Sequence, residues 1–176
     1  VGTRTKQEVL QKVSQAAADK APGEWIVGRG WDHEIWPDRQ WPHHSDLDAV
    51  APQNPVYLKR VDGHAAWVNQ PVLDLLGYDA ETPDPEGGKI MKDPQTGQPT
   101  GILIDAAYDQ LDELLPLPAA PERVNILKNA IEYANSLGIT AVTDNSPARI
   151  FNDYADLYSR QLLTLRVNFW VYGDEN

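Results

Sequence analysis

The sequence predicts an α/β protein built in two parts, and three observations carry that prediction. Apolar runs that read as strands recur at residues 25–28, 55–59 and 101–104, each ending near Gly, Asp or His. A stretch with the helical period precedes them at residues 5–19, with Val9, Leu10, Val13, Ala16 and Ala17 on one side. Beyond the proline-rich stretch 116–121 the grammar changes to helix, strand, helix, strand, which is the unit of a parallel α/β barrel or a doubly wound sheet.

Taken in order, Thr5 and Glu8 form a capping box that opens the first helix, and Ala21-Pro-Gly23 closes it. Trp25–Gly28 is the first strand. Residues 33–44, rich in Pro and Trp, read as a loop. Ser45-Asp-Leu-Asp48 opens a short helix, and residues 55–59 form the next strand. Asn69 caps a helix over residues 71–76, which stops at Gly77. Residues 89–92 and 101–104 flank Asp93-Pro-Gln-Thr-Gly97 and read as a β-hairpin, with a helix over residues 106–115 after it. In the second part, residues 122–137 form an amphipathic helix that Gly138 stops. Residues 139–143 are an almost continuous apolar run, the pattern of a strand buried on both faces. A helix over 148–163 and a strand over 166–172 complete the pattern.

Composition narrows the function. The 176 residues carry a formal net charge of −11 with the acids dispersed, which argues against nucleic-acid and anionic-membrane partners. With no cysteine, disulfides, thiolate metal sites and a Cys nucleophile are excluded, and the chain fits a cytoplasmic protein. No apolar run reaches membrane-spanning length and residues 1–20 do not read as a signal peptide. There is no phosphate-cradling glycine loop and no Gly-x-Ser-x-Gly elbow.

Four strings stand out: Trp25-Ile-Val-Gly-Arg-Gly-Trp-Asp32, Val61-Asp-Gly-His-Ala-Ala-Trp-Val-Asn69, Gly97-Gln-Pro-Thr-Gly-Ile-Leu-Ile-Asp105 and Leu137-Gly-Ile-Thr-Ala-Val-Thr-Asp144. In this order they resemble the metal-dependent amidohydrolase family of the YtcJ-like and N-substituted formamide deformylase kind, over almost the whole chain. The resemblance implies an internal fragment of a longer protein: the family's metal-binding His-x-His does not occur here, and His43-His44 lack its alternation. It further implies that residues 1–120 are an insertion domain, a small mixed sheet with covering helices, between the first two strands of a TIM-like barrel. Residues 121–176 would then be a βα piece of that barrel. The implied activity of the parent is hydrolysis of C–N bonds in small amide-type substrates. The implied cofactor is a divalent metal, zinc, held by the parent and not by this segment.

The candidate catalytic residues are His64, Asp62, Asp105 and Asp144. A carboxylate beside an imidazole at a strand end, with Gly63 allowing close approach, can orient or protonate a substrate. Each also has a plainer structural reading. Asp62 can cap a turn, and His64 can bond backbone. Asp105 can be the N-cap of the helix at Ala106, and it stands where the family usually shows the longer Glu. Asp144 can cap the turn at Asn145-Ser-Pro147. Trp31, Asp32 and Asn69 are candidate substrate contacts, against packing for Trp31 and capping for Asn69. His33, Glu34, His43 and His44 offer at most an adventitious metal site, since their spacing matches no tight motif.

Two further expectations follow. A rival function is a non-catalytic ligand-binding module built on Trp25, Trp31, Trp36, Trp41 and Trp67, of which Trp36 and Trp41 sit in a polar loop. The apolar residues Ile139, Val142, Val167, Phe169 and Val171 would drive a homodimer of this chain through residues 121–176.

Overall fold

The computed structural model describes residues 2–116, 118–146 and 148–170. It divides into two compact units, residues 1–115 and 116–176, and the division falls where the proline-rich stretch begins. Val171 lies outside the described residues.

The first unit is a five-stranded mixed sheet with helices on both faces. Its strands are β1 (Ile26–Trp31), β2 (Val56–Arg60), β3 (Ala65–Val68), β4 (Gly88–Lys92) and β5 (Pro99–Asp105), in spatial order β1-β2-β3-β5-β4. β1 runs parallel to β2, β3 is antiparallel to β2 and β5, and β4 is antiparallel to β5. The carboxyl ends of β1, β2 and β5 therefore share one edge of the sheet with the start of β3.

Alternation along the central strands feeds two cores. Val56, Leu58, Ala65, Trp67 and Ile102 face one side, where α1 (Lys6–Ala18) and α2 (His44–Asp48) cover them with Val9, Leu10, Val13 and Leu47. Tyr57, Ala66, Val68 and Leu103 face the other, under α3 (Gln70–Leu76) and α4 (Asp109–Leu114). A strand with both faces covered buries all its side chains, and every residue of β3 is buried.

Several local expectations are corrected. β3 is a strand that the apolar periodicity does not predict. Thr5 caps α1 as expected, but Glu8 reaches back to the Arg4 N–H, so the capping box is not closed at Thr5 itself. The cap of α2 is His43 rather than Ser45, with Asp46 closing the box. The loop after β1 folds into a single 3-10 turn, His33–Ile35, and Trp36 beyond it is 2% exposed. Asp105 does not cap a helix at Ala106: it adopts φ 45°, and α4 begins later, after Tyr108. Asp tolerates this left-handed backbone because its short side chain can bond locally.

The second unit runs α5 (Ala120–Ser136), β6 (Ala141–Asp144), α6 (Arg149–Ser159) and β7 (Arg166–Phe169), with β6 parallel to β7. Val124, Ile131, Tyr154, Leu157 and Leu165 form its core, with Val142, Val167 and Phe169 packed against it. The run read as a strand buried on both faces is covered on one only. Val142 and Asp144 are half-buried while Ala141 and Thr143 are exposed.

Candidate active site

The candidate site lies at the sheet edge where β1, β2 and β5 end and β3 begins. The β2–β3 turn is tight. Gly63 takes φ 78°, its N–H donates to the Arg60 carbonyl at 3.1 Å, and Asp62 Oδ1 accepts from the His64 N–H at 3.1 Å. This places His64 at the start of β3, opposite the end of β5, where the Asp105 N–H donates to the His64 carbonyl at 3.2 Å. Across the same gap His64 Nδ1 lies 2.8 Å from Asp105 Oδ1. A carboxylate only accepts, so Nδ1 carries the proton and Nε2 is left as the ring's second polar atom. The side chains of His64 and Asp105 are 74% and 47% exposed. The hydrogen bond and charge of Asp105 raise the His64 pKa above the ordinary histidine value, with a further push from Asp62.

Gly88 permits this edge to close. A Cβ there would sit 2.4 Å from the Ala107 nitrogen and 2.9 Å from the Ile104 carbonyl oxygen, so only glycine lets β4 start against the turn that carries Asp105.

A second pair of acids joins through Arg60. Its Nη1 donates to Asp62 at 2.8 Å and its Nη2 to Asp32 at 3.3 Å, while Asp32 also caps the 3-10 turn through the Glu34 N–H at 3.1 Å. Asp32, Asp62, His64 and Asp105 are thus brought to one edge by Arg60, the β2–β3 turn and the His64–Asp105 bond. Behind them Trp31 is buried at 2% exposure and donates from Nε1 to the Leu58 carbonyl at 2.8 Å. It packs within about 6 Å of Trp36, Trp41, Trp67 and His33, ring centre to ring centre. His33 is buried in this cluster, 3.9 Å from the Trp41 ring, and burial followed by Arg60 lowers its pKa. The tryptophan-rich module is weakened here: Trp31, Trp36 and Trp67 are core residues, and of the two loop tryptophans Trp36 is buried while Trp41 is exposed.

Asn69 is not at this edge. It follows the other end of β3, is fully buried, and makes no side-chain cap to α3. Its Oδ1 accepts from the Val56 N–H at 2.9 Å, and its Nδ2 donates to the carbonyls of Ala51 at 3.2 Å and Asn54 at 2.9 Å. In this structure it ties backbone segments together and has no polar atom left for a substrate. Asp144 belongs to the second unit, at the end of β6, where its carboxylate accepts from the Ser146 hydroxyl at 2.6 Å and the Tyr154 hydroxyl at 2.7 Å. Burial, and then the bond to Asp144, raises the Tyr154 pKa.

Sequence reasoning missed Arg60 and Tyr108. Arg60 carries a faint signal, a cation that ends an apolar strand two residues before Asp62. Tyr108, whose hydroxyl donates to the Gly63 carbonyl, carries none, because the contact joins residues far apart in the chain.

The amidohydrolase family model matches residues 2–174, and the chain belongs to that family. It is 38% identical over 143 residues to the protein LONG AFTER FAR-RED 3 of Arabidopsis thaliana, covering 81% of this chain and 24% of that protein. It is 36% identical to the putative amidohydrolase YtcJ of Bacillus subtilis, over 77% of this chain and 26% of the relative. For the N-substituted formamide deformylase of Arthrobacter pascens the figures are 32%, 89% and 29%. The chain therefore spans roughly a quarter of the length of these relatives. A crystal structure of an uncharacterized metal-dependent hydrolase from Pyrococcus horikoshii OT3 superposes with a TM-score of 0.61 at 23% identity, over 97% of this chain and 32% of that one. That likeness supports the fold.

The family resemblance implies a metal, and the described residues do not fit one. Among the described residues no three His, Cys, Asp or Glu side chains converge to hold a metal ion. His64 and Asp105 offer two donors where a catalytic zinc takes three protein ligands. His33 is interior, His43 caps α2 and His44 pairs with Asp48 at 2.7 Å, so these histidines and Glu34 form no such site. Among the described residues no helix is long and apolar enough to cross a membrane.

Proposed function

We propose that this chain is an internal segment of a metal-dependent amidohydrolase that hydrolyses C–N bonds in small amide-type molecules. Residues 1–120 act as an insertion between the first two barrel strands and shape the substrate pocket. Residues 121–176 are a βα piece of the barrel, a reading supported by the parallel pairing of β6 with β7 across α6. The metal, zinc in this reading, is held by residues of the whole protein outside this chain, and the segment alone is inactive. The whole protein is cytoplasmic, and this chain by itself forms a homodimer through its second unit.

The observation that carries the proposal is the convergence of Asp32, Asp62, His64 and Asp105 at one sheet edge. His64, held on Asp105 through Nδ1, presents Nε2 to a substrate. A raised pKa keeps the ring protonated to higher pH, so it donates a hydrogen bond to an amide oxygen or a proton to the leaving nitrogen. Asp32 and Asp62, fixed by Arg60, contact polar substrate groups. Trp31, buried behind this edge, supports it, and Asp144 serves at the carboxyl end of its barrel strand. The name of the Arthrobacter pascens relative makes N-substituted formamides the first substrates to try.

The test compares the whole protein with this chain on a panel of N-substituted formamides and other amides, both supplied with zinc. Hydrolysis by the whole protein alone is expected. A whole protein that cleaves esters or phosphates but no amide would overturn the proposal, as would turnover by this chain.

A further inference from the structure

We propose that Tyr108 is a positioning residue that fixes the His64–Asp105 pair by holding the Gly63–His64 peptide plane. The inference takes from the proposed function only that His64 is a site residue. Its test reads the titration of His64, so it can fail while the amidohydrolase reading stands.

His64 is mostly exposed, so packing does not orient its ring. Its main chain is held on the following side by the Asp105 N–H bond to the His64 carbonyl, and on the preceding side Gly63 leaves the peptide free to rotate unless both its polar groups are held. Both are. On one side Asp62 Oδ1 accepts from the His64 N–H at 3.1 Å, and on the other the Tyr108 hydroxyl donates to the Gly63 carbonyl.

Tyr108 is itself well anchored. It is 7% exposed in the second core, with its ring centre 6.3 Å from that of Tyr57 and the Lys59 ammonium 5.7 Å from its own. Its backbone N–H donates to the Asp105 carbonyl at 3.0 Å. One residue thus grips both partners: Asp105 through its main chain, and His64 through the Gly63 carbonyl. A closed ring of bonds results, from Asp105 to Tyr108, to Gly63, to His64, and back to Asp105.

The experiment follows the imidazole signals of the full chain by NMR across pH, in the wild type and in Tyr108→Phe and Asp105→Asn. Tyr108→Phe keeps the ring and removes only the donor. The titration of His64, which faces Asp105 and Asp62, is expected to shift down in Tyr108→Phe toward its position in Asp105→Asn. His43, which caps α2, serves as the internal reference and should not move. A role in packing alone would leave the His64 titration where it is, and that result would overturn the proposal. Should Tyr108→Phe fail to fold, the wild type still decides. Its Tyr108 hydroxyl proton should be slow to exchange and show a cross-peak to Gly63, and a freely exchanging hydroxyl would refute the inference.

Discussion

Replacing Asn69 by alanine should cost more stability than any other single polar substitution in the first unit. The side chain is completely buried and satisfies three main-chain groups, the Val56 N–H and the carbonyls of Ala51 and Asn54. A buried polar group left without a partner costs about 1–3 kcal/mol. Three such groups set a ceiling of about 9 kcal/mol, and water entering the space vacated by the side chain recovers part of it. A loss of about 3–5 kcal/mol is therefore expected. Urea unfolding followed by tryptophan fluorescence reports on this unit, because five of the six tryptophans, Trp25, Trp31, Trp36, Trp41 and Trp67, belong to it. At a slope of about 2 kcal/mol per molar urea, the midpoint should fall by about 2 M. Asn69→Asp should do no better: it keeps the acceptor for Val56 but turns the amide nitrogen, with its two donor hydrogens, into one oxygen that faces two carbonyl oxygens. A midpoint change below about 0.3 M for Asn69→Ala, combined with lost activity in the whole protein, would refute this reasoning and return Asn69 to the role of a substrate contact.

Three other outcomes are expected. Burial holds the His33 pKa below the ordinary value, so the unfolded chain takes the proton first; stability is full above that ordinary value and is lost as pH falls below it. His33→Gln should flatten this acid limb in unfolding measured at stepped pH, and an unchanged limb would count against the neutral, buried ring. Gly88→Ala should cost about 1–3 kcal/mol, read by calorimetry, because its methyl would overlap the Ala107 nitrogen; a neutral change would mean that β4 starts elsewhere. Of the residues expected to drive association, Val142, Val167 and Phe169 instead pack against the core of the second unit. Ile139 stays exposed with Phe151, Tyr158 and Trp170, and covering apolar surface is worth about 25 cal/mol per Å². Light scattering over a dilution series should therefore show a dimer, and a monomer at every concentration would rule that out.

Local signals in the sequence were enough for α1, the first two strands, the β4–β5 hairpin and the helix–strand order of the second unit, because each rests on periodicity or a turn within a few residues. β3 escaped because Ala65-Ala-Trp-Val68 is short and apolar throughout, so it shows no alternation, and only its central place between β2 and β5 makes it a strand. The motif residues Asp62 and His64 stood out at once. What they touch did not, since His64–Asp105 and Tyr108–Gly63 span more than 40 residues each and depend on sheet order. Asn69 and Asp105 misled for one reason: both residue types are favourable caps, and here strand contacts took their side chains instead.

The most direct test of the central claim is the amidase activity of the whole protein carrying His64→Asn. If the imidazole at this sheet edge moves a proton or orients the amide, kcat/KM on the best amide substrate should fall by about a hundredfold or more, with the metal content and the unfolding temperature unchanged. A variant within about twofold of the wild type would show that the edge formed by Asp32, Asp62, His64 and Asp105 is scaffold and that the chemistry lies elsewhere.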